Sequence, residues 1–291
     1  MDVNQPSGIH FKADAPVKAD AGAKAEALSL RYAGAEPAAG PWNEVIATLL
    51  SHRSVRGFLP DALPEGTLET LVAAAQSAST SSNLQTWSVV AVTDPEKKAA
   101  LAKIANNQKH IEQCPLFLVW LADVSRNERL GVEEGVTLET IPHFESYLVA
   151  AIDASLAAQN ATVAAESLGM NMVYIGALRN DPIEVGRLLG LPPGAMGVFG
   201  MCVGYPLPTV TNEVKPRLPQ SAILYHNTYD ASGESAERAA YDARIAAFSA
   251  RHEMTQDTWT KRVIGRMGKI AAMSGRDKLV SILNQMGFPL K

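Results

Sequence analysis

The apolar and polar positions of this chain change their period several times after residue 43, and each change marks an element. Asn43 is a good helix N-cap, and Val45, Ile46, Leu49 and Leu50 follow it at helical spacing. After Pro64, the residues Leu68, Leu71, Val72 and Ala75 sit at i, i+3, i+4 and i+7 and form one apolar stripe. Residues 86–93 switch to strand character, with β-branched bulk from Val89, Val90 and Val92. Asp94-Pro95-Glu96 starts a short helix, with Asp at the cap and Pro in the first turn. Residues 116–121 are nearly all apolar, the pattern of a strand buried on both faces.

Residues 144–168 are dominated by Ala, Leu, Val and Ile around almost the whole helical circumference. Such a helix belongs in the middle of a protein or across a subunit interface. Gly169 stands at its C′ position. Residues 171–175 read as a strand, Asp181-Pro182 caps a helix that ends at Gly190, and 197–204 form a further apolar strand closed by Tyr205-Pro206. Beyond Pro219 the pattern is mostly helical, over 235–250, 258–267 and 277–286. There is no internal repeat. The alternation predicts an α/β or α+β core with a helical C-terminal section. Residues 1–42 differ: rich in Ala, Gly and Pro, with no sustained apolar period, they predict a flexible or loosely attached extension. The other reading is an arm that wraps a partner subunit through Ile9, Phe11, Leu28, Leu30 and Tyr32.

Composition narrows the classes. The 291 residues carry 26 Lys+Arg against 30 Asp+Glu, a net charge of -4, which argues against a general nucleic-acid surface but allows a local basic pocket. With 47% hydrophobic and 19% charged residues, a sizeable core can be buried. The two cysteines, Cys114 and Cys202, lie far apart in apolar stretches without a C-x-x-C pair, so they read as buried reduced thiols and not as a disulfide scaffold. The six histidines show no i, i+4 pairing, which argues against a zinc enzyme. Uninterrupted apolar runs fall short of the roughly 18 residues of a membrane span, and the N-terminus lacks the pattern of a secretory signal. The expectation is a soluble, cytoplasmic protein with neither membrane nor nucleic acid as partner. No G-x-G-x-x-G follows a strand, and neither a P-loop nor a G-x-S-x-G elbow is present. Chemistry is then better carried by a bound cofactor.

Five polar constellations remain. His52-Arg53-Ser54-Val55-Arg56 packs three potential cations and a hydroxyl into five residues, with Arg53 and Arg56 spaced to converge on one anion; a solvated basic helix end would look the same. Ser79-Thr80-Ser81-Ser82-Asn83-Leu84-Gln85 is a dense run of hydroxyls and amides, either a plain polar loop or one able to bond a heterocycle edge. At Tyr174-Ile175-Gly176-Ala177-Leu178-Arg179 a strand runs into a glycine, which either makes an ordinary turn or admits a flat ligand close to the backbone. Lys215-Pro216-Arg217 holds two cations in a rigid stretch, and Gln108-Lys109-His110 is a weaker polar group.

Read together and in order, these segments resemble the nitroreductase family, most closely its larger, NADPH-preferring oxygen-insensitive nitroreductases and flavin reductases. Ala164-Ala165-Glu166-Ser167-Leu168-Gly169 and the continuation to Asn180 and to Leu218-Pro219 extend the resemblance, which runs from about Asn43 to the C-terminus. It implies an α+β fold: a mixed sheet flanked by helices, in an intertwined homodimer with FMN at the interface. It divides the chain into the 1–42 extension and one FMN-binding domain over 43–291. Carried over by motif, His52, Arg53, Ser54 and Arg56 would hold the FMN phosphate, completed by Lys215 and Arg217. Gln108 would face the flavin's polar side, and Ser79, Thr80, Ser81, Ser82, Asn83 and Gln85 would come from the other subunit. The backbone of Tyr174, Ile175, Gly176 and Ala177 would lie against the ring; Ala177 stands where a second glycine is common. Arg251 would meet the 2′-phosphate of NADPH, NADH remaining open as donor.

The implied activity is two-electron, ping-pong hydride transfer through flavin N5 from NAD(P)H to a nitroaromatic, quinone or flavin, with no side chain as acid. The same cofactor contacts would equally serve a non-catalytic flavin-binding module, or a flavin-dependent dehydrogenase or dehalogenase of the same superfamily.

Overall fold

The computed structural model describes residues 21–38, 40–210 and 213–291. Four strands, β1 (Trp87–Val92), β2 (Leu116–Asp123), β3 (Asn171–Ile175) and β4 (Ala195–Gly204), form one sheet in the order β1-β2-β4-β3. Every neighbouring pair is antiparallel. The α+β class expected from the sequence holds, and the parallel component of the expected mixed sheet is confined, among the described residues, to the bridge between Ser54 and Met172.

Alternation along the strands sorts two cores. Phe117, Val119 and Leu121 of β2, with Val173, Ile175 and Cys202, face helices α4 (Pro95–Ile104), α5 (Lys109–Gln113) and α8 (Pro182–Leu189). Leu116, Leu118 and Trp120, with Met172, Met201 and Val203, face α3 (Thr67–Gln76) and α7 (Phe144–Ser167). All eight residues of β2 are buried, as its apolar run predicts. Gly200 lets β4 cross Phe117, because a Cβ there would lie 2.3 Å from the ring. The remaining helices are α2 (Glu44–Ser51), α6 (Ser125–Glu133), α9 (Glu234–Arg251), α10 (Trp259–Met267) and α11 (Leu279–Gln285). The caps read from the sequence are present: Asn43 accepts from the Ile46 N–H, Asp94 from Glu96 and Lys97, and Gly169 and Gly190 take left-handed backbone at φ 79° and 67°.

Helix α7 is long and apolar enough to cross a membrane by length and composition. Here one side of it, including Ala154, Ala157, Ala158 and Ala161, is buried on α3 and the sheet. The other side leaves Phe144, Leu148, Ile152 and Leu156 exposed, one every fourth residue. Helix α6 has no apolar stripe to announce it, since its Leu130 and Val132 face outward. Cys114 and Cys202 are both free and buried.

Within the stretch over 1–42, the described residues contain helix α1 (Ala21–Tyr32), whose Arg31 is only 6% exposed. The attachment is polar, through a guanidinium bonded to backbone carbonyls, which an apolar-period reading does not see. Ile9 and Phe11 lie outside the described residues.

Candidate functional site: a cationic cavity

The segment after α2 runs beside β3 and alternates like a strand. Val55 N–H donates to Met172 O at 3.0 Å and buries its side chain, so Ser54 and Arg56 turn outward. The stretch at 215–217 is positioned by α9. Tyr241, Ile245 and Phe248 form the buried stripe of that helix, Tyr241 Oη donates to Pro216 O at 2.8 Å, and Lys215 Nζ sits 5.7 Å from the Phe248 ring centre. Together the two segments enclose a cavity of about 140 Å³ lined by His52, Arg53, Ser54, Arg56, Lys215 and Arg217, with Glu213, Phe248 and His252 completing it. Segments far apart in sequence thus line one cavity.

The electrostatics of the cavity are those of crowded cations. Burial pushes the Lys215 ammonium below its ordinary pKa, and the charges of Arg262, Arg56 and Arg217 push it further. Arg53 Nε is buried without a hydrogen-bond partner. His52 is held from behind, its Nδ1 lying 2.7 Å from Glu166 Oε1. His110 is pushed down by burial and then by Arg56, which sets the 108–110 turn beside the same cluster, with Gln108 half-buried at the start of α5. Glu166 also acts on Tyr174, whose phenol is raised by burial first and by that carboxylate last, so the end of β3 approaches the cluster through this residue.

At Gly176 an added Cβ would meet the Arg179 guanidinium at 3.2 Å. Arg179 donates to Val198 O, beside the irregularity where β4 slips against β2. Ala177 packs against the first core, Ile175 is buried, and Tyr174 Oη lies 3.0 Å from Thr162 Oγ1. Arg179 also lines a second cavity, of about 420 Å³, with Arg266, Lys269 and Arg276 and, among the described residues, no carboxylate in its wall.

The hydroxyl-rich loop is not in the cationic cavity of its own chain. Ser79, Ser81, Ser82, Asn83 and Gln85 are exposed, and Ser82, Asn83 and Gln85 take left-handed backbone. The loop hangs on Asp153 of α7, which accepts from Thr80 Oγ1 at 2.5 Å, Ser81 N–H at 3.1 Å and Thr86 Oγ1 at 3.3 Å. Arg251 stands at the rim of the cationic cavity, paired with Glu213 at 2.8 Å and over the Phe248 ring.

Comparison with known proteins decides the relationship. The model of the nitroreductase family matches residues 49–205, and that of the nitroreductase family C-terminal domain matches 215–291. The chain belongs to the nitroreductase family. Among its relatives, the FMN reductase (NADPH) of Bacillus subtilis is 37% identical over 230 residues, 77% of this chain and 92% of that protein. The oxygen-insensitive NADPH nitroreductase of Salmonella typhimurium is 34% identical over 220 residues, 75% of this chain and 88% of its own. The solved structure of the NADPH:FMN oxidoreductase of Vibrio harveyi complexed with NAD+ superimposes with a TM-score of 0.75 at 34% identity, covering 86% of this chain and 100% of that one.

Three charged residues, Arg31 and Glu213 at the cationic cavity and Asp153 beneath the 79–85 loop, escaped the sequence reading. Arg31, Glu213 and Asp153 are single charged residues outside any dense motif, and only their contacts reveal them. Glu166 did lie within a quoted motif, but its pairing with His52 is a tertiary contact.

Proposed function

We propose that this nitroreductase is an FMN-dependent NAD(P)H oxidoreductase that reduces nitroaromatics, quinones or flavins by two-electron, ping-pong hydride transfer. The observation that carries the reading is the cationic cavity. Crowded guanidinium and ammonium groups, one with a buried N–H unmet, fit a phosphate dianion, whose oxygens accept several charge-assisted hydrogen bonds. Bound FMN supplies the hydride chemistry at N5. The chain supplies the rest. His52, Arg53, Ser54, Arg56, Lys215 and Arg217 would hold the phosphate end. Gln108 would face the polar edge of the flavin, and the backbone from Tyr174 to Ala177 would support the ring. No side chain need move a proton, since solvent water would supply it.

The site becomes complete in a homodimer. The exposed row of Phe144, Leu148, Ile152 and Leu156 supports a second copy packed on α7, which would carry the 79–85 loop of one protomer to the cavity of its partner. Arg251 would receive the 2′-phosphate of NADPH once Glu213 releases it. A cytoplasmic compartment, where NAD(P)H is available and thiols stay reduced, agrees with this chemistry.

The test is the visible spectrum of the purified protein and its turnover of NADPH with nitrofurazone or a quinone. Yellow protein, or FMN uptake by colourless protein, with turnover is the expected result. Failure to take up FMN ends the reading. FMN uptake without turnover by NADPH or NADH would favour a flavin-binding module or a dehydrogenase or dehalogenase of the same superfamily.

A further inference from the structure

Helix α1 lies outside both family matches, which begin at residue 49. Its apolar side chains Leu28 and Tyr32 are only half-buried. Among its described side chains Arg31 is the buried one, while Leu30 is 51% exposed. The Arg31 guanidinium donates from Nη2 to Leu50 O at 2.8 Å and to His52 O at 2.7 Å, and from Nη1 to Lys215 O at 3.0 Å. Its own carbonyl accepts the Arg217 N–H at 2.9 Å. Two of these carbonyls close α2, whose last turn leaves acceptors free, and a cation there also matches the helix dipole. The other two partners, the Lys215 carbonyl and the Arg217 N–H, belong to the 215–217 stretch. One residue therefore bonds to both segments that carry the phosphate-binding cations.

That link matters because the two segments repel. Arg53 and Arg56 on one side face Lys215 and Arg217 on the other across the cavity. Among the described residues no hydrogen bond joins 52–56 directly to 215–217. The planar guanidinium suits the task, since it can donate in several fixed directions at once and stays charged when buried.

We propose that α1 is a clasp for the cofactor's phosphate end, with Arg31 as the positioning residue that keeps the two cationic segments at phosphate-binding distance. This rests on the FMN reading above. The clasp acts on the phosphate subsite and not on the ring, so it governs how tightly FMN is retained while leaving riboflavin, which lacks the phosphate, nearly indifferent. It gives the chain N-terminal to the family match a function: attachment of α1 sets cofactor retention.

The experiment titrates wild-type full-length protein, Arg31→Ala and Arg31→Lys with FMN and with riboflavin, following flavin fluorescence, and measures FMN release after dilution. Arg31→Ala should weaken FMN by about tenfold or more and speed its release, with riboflavin changed less than about twofold. Arg31→Lys, which keeps the charge but can reach fewer carbonyls, should fall between and remains the usable variant if the alanine protein does not fold. Unchanged FMN affinity, or equal losses for FMN and riboflavin, would overturn the clasp. Wild-type protein that takes up no FMN would defeat the cofactor reading instead. Titration with inorganic phosphate, followed by the thermal shift it produces, would then still test Arg31, with equal shifts in wild type and Arg31→Ala counting against it.

Discussion

Nδ1 of His52 lies 2.7 Å from Oε1 of Glu166, and this pairing fixes an imidazole in the wall of the cationic cavity. The carboxylate is 5% exposed and the imidazole 25%, so the contact is sheltered from solvent on one side only. Glu166→Ala should cost about 1–2 kcal/mol of stability, the loss of a partly buried charge-assisted hydrogen bond. It should also weaken FMN binding several-fold. Glu166→Gln keeps an acceptor for the imidazole and removes a negative charge near the phosphate, so it should bind FMN at least as well as wild type. Denaturant unfolding and FMN titration of the pair check this; equal losses in both variants would count against a positioning role for the carboxylate.

Lys215 sets a pH dependence. In the ligand-free fold its pKa lies below the ordinary 10.5, through burial first and then through Arg262, Arg56 and Arg217. The unfolded chain therefore binds more protons between the lowered and the ordinary value, and the stability of the ligand-free protein should rise with pH across that window. A phosphate dianion reverses the effect by favouring the ammonium. FMN binding should then take up a proton on the alkaline side, and FMN affinity should fall as pH rises through the lowered pKa. Calorimetry in buffers of different ionisation enthalpy reads the proton directly. Lys215→Met should abolish the uptake; if it persists undiminished, another group is responsible.

Arg251 is held by Glu213 at 2.8 Å, in an exposed pair. Such a pair is weak enough for a ligand to displace. Arg251→Ala should raise KM for NADPH about 5- to 10-fold, with a much smaller change for NADH, which has no 2′-phosphate to lose. Glu213→Gln should lower KM for NADPH by freeing the guanidinium. Parallel changes with both donors would remove Arg251 from 2′-phosphate recognition.

Asp153 ties the hydroxyl-rich loop to α7 through three hydrogen bonds while itself only 2% exposed. Removing it strands donors from Thr80, Ser81 and Thr86. Asp153→Ala should cost roughly 2–4 kcal/mol in denaturant unfolding and loosen the loop to proteolysis. Wild-type resistance to cleavage within 79–86 would show that the loop is held some other way.

The row of Phe144, Leu148, Ile152 and Leu156 predicts a dimer sensitive to charge. Ile152→Glu would bury an unpaired carboxylate at the proposed interface and should weaken association by roughly 100-fold or more. Light scattering across a dilution series reads the mass. FMN affinity should fall with it, since the 79–85 loop would no longer reach the partner's cavity. A variant that stays dimeric with unchanged FMN affinity would place the interface elsewhere.

Most elements were legible from the amino-acid order because their causes are local. The caps at Asn43, Asp94 and Asp181, the stops at Gly169 and Gly190, and the all-apolar β2 are written within a few residues of where they act. The cation-bearing motifs at 52–56 and 215–217 were legible for the same reason. Tertiary structure alone decided that they meet. A contact between distant segments depends on the packing of everything between them, here β3 beside 52–56 and α9 beneath 215–217. It also decided which side of the uniformly apolar α7 is buried, and it recruited Arg31, Asp153 and Glu166. Each of these is an ordinary charged residue in the sequence whose role comes from carbonyls, hydroxyls or an imidazole delivered by a different part of the chain.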